Sequence, residues 1–307
     1  MPLVAAALVA GCGDDDGLPA GGGGAEPGEG GTLVGALDGP AREVDPLYAR
    51  TRAERVVTRQ IFEPLVERVA GPFGDSPGVG GLALRARPTR DPTIWRVVLR
   101  PGVRFQDGSR LNATAVLENV DRWLASRAGR RLLPSLTAAD APRPHLLRFI
   151  LAAPDPALGE RLGSPRLGLV SPRALAGGRP AARRSRVDGD DAGTGPFELR
   201  EHDAGRLLLA RNTSWWGSEL DLGPALAQVE LRSGLAPSRR AELLAGGDVQ
   251  VADGLGPAET AALQTDPLVL ALPQGERRWR GIERSVRGID SGGRAPSLQS
   301  VWLTTLR

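Results

Sequence analysis

Gly193-Thr-Gly-Pro-Phe-Glu-Leu-Arg200, continued by Arg211-Asn-Thr-Ser-Trp-Trp-Gly217, is the stretch whose pattern decides the fold. Gly193 and Gly195 permit backbone angles closed to other residues, and Pro196 fixes φ where an extended segment begins. Phe197 and Leu199 then share one face, with Glu198 and Arg200 on the other. After a turn at Asp203-Ala-Gly205, Leu207 and Leu209 repeat the alternation. The pattern predicts a β-hairpin with one buried face and an aromatic end, Trp215-Trp216. In an extended chain those two rings point opposite ways, so at most one faces a cleft and the other packs.

Strands and helices alternate on the C-terminal side of the hairpin. Ala227–Leu231 reads as a strand, Pro237–Leu244 as a helix stopped by Gly246-Gly247, and Asp248–Asp253 as a strand. Pro257–Leu263 reads as a helix and Leu268–Leu272 as a further strand. That order predicts an α/β fold, a parallel or mixed β-sheet with flanking helices.

On the N-terminal side, Thr32–Leu37 reads as a first strand. The segment from Arg52 to Phe62 carries Val57 and Ile61 four apart, an amphipathic helix that Pro64 closes. Thr93–Arg100 alternates with Trp95, Val97 and Leu99 on one face. Pro101-Gly102 turns the chain, Asp107-Gly108 makes a second turn, and Asn112 caps a helix running through Leu124. Val116, Val120 and either Trp123 or Leu124 point inward from it. Ser126–Arg148 is rich in Pro and Arg and suggests no element before a strand at Leu146–Leu151. A short helix at Asp155–Leu162 and an N-cap at Ser171-Pro172 follow.

Composition narrows the function. The 307 residues are 41% hydrophobic and 24% charged, enough for a folded core and too apolar for wholesale disorder. All 39 basic residues are Arg, and the net charge of only +3 argues against a nucleic-acid partner. Arg277–Arg287 is basic, but solvated surface or anionic lipid headgroups suit it better than nucleic acid. The two His, His145 and His202, sit in no HExxH pattern, and neither a P-loop nor a catalytic Cys pattern is present. Gly74-Asp-Ser-Pro-Gly78 matches G-x-S-x-G but has Gly and Pro where a nucleophile elbow needs a strand and a helix. Asp188-Gly-Asp-Asp191 has the start of a calcium loop, with Leu199 at the place of the bidentate Glu. The arginines from Arg179 to Arg186 beside it make a solvated loop. The chain is therefore read as a non-enzyme with no cofactor and no metal site.

The single cysteine, Cys12, rules out a disulfide within the chain. It follows the short apolar run Leu3–Ala10 and ends Leu8-Val-Ala-Gly-Cys12, which resembles the bacterial lipobox. No Arg precedes the run, a departure from that pattern. The resemblance implies a lipoprotein signal peptide over residues 1–12 and a lipid on Cys12 that anchors the chain to a membrane. Residues 13–31 then read as a Gly-rich flexible tether, and residues 32–307 as one shortened domain.

Several separated motifs resemble the family 5 extracellular solute-binding proteins, the peptide, dipeptide and nickel receptors of ABC importers. The hairpin stretch is one. The others are Val44-Asp-Pro-Leu-Tyr-Ala49 with Ile61-Phe-Glu-Pro-Leu-Val66, then Trp95 through Val116, and Leu244 with Gly246-Gly247-Asp248-Val249. The resemblance implies a lobe of the periplasmic-binding-protein type II kind, located extracytoplasmically on the bacterial membrane. It implies a peptide-like solute and an ABC permease as partners. Asp45, Tyr48, Thr194, Gly195, Trp215 and Trp216 occupy the positions that would line the ligand side. Read from residue chemistry alone, Asp45 is a turn-forming carboxylate and Tyr48 a half-buried loop anchor sooner than direct ligand contacts. The resemblance runs from Thr32 to about Leu272, so the second lobe of full members is largely absent from the pattern. A half-cleft leaves a second reading open, a cell-surface lipoprotein that uses the same lobe as a sensor or interaction scaffold without transport.

Overall fold

The computed structural model describes residues 30–69, 76–77, 81–176, 192–220, 224 and 226–263. Cys12, the G-x-S-x-G match, the Arg and Asp clusters between 179 and 191, the strand expected at Leu268–Leu272 and the C-terminal Arg-rich segment lie outside these residues.

The strands are β1 (Thr32–Ala36), β2 (Arg68–Val69), β3 (Ser76–Pro77), β4 (Ala83–Pro88), β5 (Ile94–Leu99), β6 (Leu136–Arg143), β7 (Leu146–Leu151), β8 (Phe197–His202), β9 (Arg206–Arg211), β10 (Gln228–Arg232) and β11 (Val251–Ala252). The helices are α1 (Arg52–Ile61), α2 (Ala113–Ala125), α3 (Arg127–Leu132), α4 (Leu158–Arg161), α5 (Pro172–Ala176), α6 (Pro237–Ala245) and α7 (Pro257–Leu263). They build two main sheets. The first has the order β11-β1-β10-β9-β8, the second β4-β5-β7-β6, and β2 pairs with β3 apart from both.

The first sheet is mixed. β1 runs parallel to both β10 and β11, while the β8–β9 hairpin is added antiparallel to β10. The alternation read from the sequence is the burial pattern found: Phe197, Leu199, Leu207 and Leu209 all lie in one core. Val56, Val57 and Ile61 of α1 cover the same core. α1 starts at a capping box, with Thr51 Oγ1 accepting from Glu54 N–H and the Glu54 carboxylate accepting from Thr51 N–H. Arg52 grips Asp253 with two parallel hydrogen bonds of 2.6 and 2.9 Å, which ties the start of α1 to the end of β11.

The second sheet is antiparallel throughout. Trp95, Val97 and Leu99 of β5 and Leu147, Phe149 and Leu151 of β7 face inward and pack with Val116, Val120 and Trp123 of α2. Asn112 caps α2 as its sequence predicts, its Oδ1 accepting from Ala115 N–H at 2.9 Å.

Two expectations need correcting. The stretch before Leu146 is not featureless: it holds α3 and all of β6, the edge strand. Leu136-Thr-Ala-Ala-Asp-Ala-Pro-Arg143 has weak strand propensity and is held by its ladder with β7, whose register shifts twice, so tertiary pairing overrides local preference. The strand expected over Asp248–Asp253 is shortened to Val251–Ala252. Gln250 replaces part of the ladder with its side chain, whose Oε1 accepts from Val34 N–H at 2.8 Å.

Candidate functional site

The two cores meet along a seam. Phe62, which follows the last residue of α1, lies in the first core, and three residues later Leu65 is in the second. Between them sits Glu63, 1% exposed, a carboxylate carried by the chain from one core to the other. Buried polar groups are costly unless paired, so the seam is stitched by hydrogen bonds.

Glu63 receives both tryptophans. Its Oε2 accepts from Trp216 Nε1–H at 2.8 Å and from Trp215 Nε1–H at 3.3 Å. The rings stand 5.5 Å apart at a tilt of 56°, and the Arg100 guanidinium lies 4.5 Å over the Trp216 ring. The opposite ring directions expected of an extended chain are not found, although Trp215 is buried and Trp216 keeps part of its surface exposed. The chain here is a turn rather than a strand: Ser214 N–H donates to Asn212 Oδ1 at 3.0 Å and Trp215 N–H to Asn212 O at 3.1 Å. The turn brings both indole N–H groups to one side.

Asn212 also holds the glycine loop, its Nδ2 donating to Gly195 O at 3.0 Å. Gln106 clamps that loop from the second core. Gly193 N–H donates to Gln106 Oε1 at 3.1 Å, and Gln106 Nε2 donates to Phe197 O at 2.7 Å. The glycines are required here for a reason other than the one their sequence suggests. Neither adopts positive φ. A Cβ on Gly193 would lie 1.9 Å from Ile61 O, and one on Gly195 would lie 2.4 Å from Gln60 O. They permit close approach to the end of α1, and Gly195 N–H uses it to donate to Ile61 O at 2.8 Å.

Asp45 and Tyr48 belong to the other end of the seam. Asp45 is fully buried; its Oδ1 accepts from Leu47 N–H at 3.0 Å and its Oδ2 is ion-paired with Arg122 of α2. The same guanidinium lies 5.9 Å from the Tyr48 ring centroid. Asn119, one turn earlier on α2, exchanges two hydrogen bonds of 2.8 and 3.0 Å with the backbone of Val170, crossing from one core to the other. The segment after Gly168 joins the two ends, since Leu169 N–H donates to Glu63 O at 2.9 Å and a Cβ on Gly168 would meet both Phe62 and Pro46.

Of the six residues singled out in the sequence, Asp45, Thr194, Gly195 and Trp215 are buried, whereas Tyr48 and Trp216 keep part of their surface exposed. Glu63, Arg100, Gln106 and Arg122 were not singled out. Glu63 and Arg100 stand inside recognised motifs, Ile61–Val66 and the stretch after Trp95, and that was their only signal. No described group of three or more His, Cys, Asp or Glu could hold a metal ion, and no described helix is long and apolar enough to cross a membrane.

Asp107 sits in the turn before α2. Burial pushes its carboxyl up, but hydrogen bonds from the Ser109 hydroxyl and N–H, with Ser171 and the charge of Arg173, together leave it below the usual aspartate range. It is a turn residue, as its neighbour Gly108 with φ of +81° also shows.

Comparison with known proteins places this architecture. The family described as bacterial extracellular solute-binding proteins, family 5 Middle, matches residues 78–283. The chain belongs to that family. Members of family 5 are solute-binding proteins of ABC importers, not enzymes. A probable D,D-dipeptide-binding periplasmic protein of Escherichia coli K12 is 26% identical over 238 residues, 76% of this chain and 45% of that protein. The glutathione-binding protein of Salmonella typhi is 28% identical over 237 residues, 75% of this chain and 43% of that one. Among solved structures, the periplasmic binding protein DppA of Helicobacter pylori in complex with the peptide STSA superposes with a TM-score of 0.65 at 22% identity, over 78% of this chain and 49% of that chain. The chain thus spans about half the length of the family 5 relatives it matches, and the shared fold is one partial lobe of theirs.

Proposed function

We propose that this chain is a lipid-anchored extracytoplasmic substrate-binding protein of an ABC importer that binds a peptide-like solute and delivers it to a permease. Family membership over residues 78–283 is the observation that carries the reading. Two relatives named for binding short peptides, a D,D-dipeptide and glutathione, support the solute class. Trp216 and Tyr48 supply half-exposed aromatic surface, which suits the flat amide planes and side chains of a short peptide. Glu63 and Arg100 hold Trp216 in one orientation before a solute arrives, so less ordering entropy is lost on binding. Cys12 would carry the lipid, residues 13–31 would be the tether and residues 32–307 the body.

The test is thermal unfolding of the full chain carrying Cys12→Ser, scanned against dipeptides, glutathione, oligopeptides and nickel. A solute that binds only the native state raises the midpoint, by about 2.7 kcal/mol of stability at a hundredfold excess over Kd. A saturable shift with short peptides is the expected result. A cooperative transition that no member of the panel shifts would overturn the reading. In cells, the same substitution releases the protein from the membrane fraction if Cys12 carries the anchor.

A further inference from the structure

The outer face of the β4-β5-β7-β6 sheet, the side turned away from the core, carries an unusual charge arrangement. The ladder register places Arg87 opposite Arg96 and Arg96 opposite Arg148, one row across three adjacent strands, and Asp140 closes the row on β6. All three arginines are exposed. Residues directly opposite in antiparallel strands stand about 5 Å apart at Cβ, and like charges at that spacing destabilise the sheet. Arg148 is relieved by Asp140, with bonds of 2.7 and 2.8 Å. Arg87 and Arg96 make no ion pair with any described residue. At the next position on the same face, Arg85 faces Val98 and adds a further positive charge that no described residue pairs. The fold therefore keeps a net cationic row that costs it stability.

Apolar side chains interleave with this charge. Ile94 faces Ile150 on one side of the arginine row, and Val98 faces Leu146 on the other. Ile150 is 37% exposed and Leu84, next to Arg85, is 42% exposed, the large hydrophobics left most open to solvent among the described residues. Excess positive charge and apolar side chains between the charges together fit an extended anionic surface that has an apolar layer beneath it. A soluble anion would use the charge and leave the apolar rows unexplained.

We propose that the outer face of this sheet docks on a bilayer containing anionic phospholipids, with the arginine row at the headgroups and Ile94, Ile150, Val98 and Leu146 against the interface. Such docking fixes which way the lobe faces relative to the membrane. It uses residues separate from Tyr48 and Trp216, so it stands whatever solute the chain binds.

Vesicle co-sedimentation of the full chain carrying Cys12→Ser, which removes any lipid, tests the proposal. Phosphatidylcholine vesicles are compared with vesicles containing phosphatidylglycerol, at low and moderate salt. Binding is expected to the anionic vesicles only, and to weaken as salt rises. Arg87→Gln together with Arg96→Gln should weaken it roughly twenty-five-fold, taking about a fivefold loss for each arginine at an anionic surface. The same two substitutions should raise the thermal midpoint, because they remove repulsion. Equal binding to both vesicle types, no binding to either, or anionic binding untouched by the two substitutions would each overturn the proposal. A lowered midpoint in a variant that still unfolds cooperatively would remove its premise.

Discussion

The carboxylate of Asp45 is wholly buried and ion-paired to Arg122, a residue 77 positions along the chain. The pair joins a short turn that leads into α1 to the last turn of α2, and so fastens the two cores together. Burying two charges is expensive, and the attraction between them offsets that cost only while both are present. Arg122→Leu removes the cation that faces this buried carboxylate and is expected to cost about 3–5 kcal/mol of stability. Asp45→Asn combined with Arg122→Leu should cost less than the Arg122 change alone. Urea unfolding of the wild type, both single variants and the double variant measures the coupling.

Gly193→Ala and Gly195→Ala should be among the most damaging small changes in the protein, since each Cβ would run into a backbone carbonyl of Gln60 or Ile61 that cannot rotate away. Gly102→Ala should be milder. That residue has φ of +84° with nothing within 4 Å of its Cβ position, so only left-handed backbone strain of about 1–2 kcal/mol opposes it. Expression in soluble form and thermal midpoints of the three variants rank these effects. Gly102→Ala worse than Gly193→Ala would contradict the close-approach argument.

Acid stability follows in part from two partly buried carboxylates, Asp107 and Glu230. Burial raises Asp107 and Glu230, but Ser109, Ser171 and Arg173 together in one case, and Arg232 with Arg206 in the other, more than compensate and leave both below their usual range. A depressed folded-state value means that the stabilisation is complete above the unfolded value, about 4, and is lost as pH falls through the lower folded value. The thermal midpoint should therefore fall below about pH 4, and Asp107→Asn should flatten that fall while lowering stability at neutral pH. Melting curves from pH 7 down to pH 3 check both halves.

Trp216→Ala and Tyr48→Ala should weaken the solute-induced rise in midpoint by about 2 kcal/mol each, a typical cost of losing an aromatic anchor. The solute-free midpoint should change less for Tyr48 than for Trp216, whose N–H pairs with Glu63. Glu63→Gln removes the charge that both indoles share and should alter tryptophan fluorescence even without solute. An unchanged emission spectrum would separate the two rings from Glu63 in solution.

Much of the scaffold was legible in the sequence because its signals are local. Trp95, Val97 and Leu99 alternate with period two and are buried together; Asn112 caps α2, and Ser171 Oγ accepts from Ala174 N–H at 3.1 Å at the start of α5. Edge strand β6 was not legible, because what holds it is the neighbour across the ladder rather than its own composition. The candidate site was legible only in part. Its aromatic pair stood out, but the acceptor of both indoles did not: Glu63 lies 152 and 153 residues from the two rings.

The sequence by itself determined most of the strands and helices, which of their faces are apolar, and the family to which the wording of its turns belongs. Those properties follow from side-chain periods of two and 3.6 residues and from caps that act over three or four positions. Only the tertiary structure decided the seam between the two cores. It buried Asp45 against Arg122, set Gly193 against Ile61 and turned Trp215 and Trp216 onto one carboxylate. The physical reason is that a buried polar group must be satisfied by whatever the packing brings within hydrogen-bond reach, and that partner is set by the packing of distant segments rather than by local sequence.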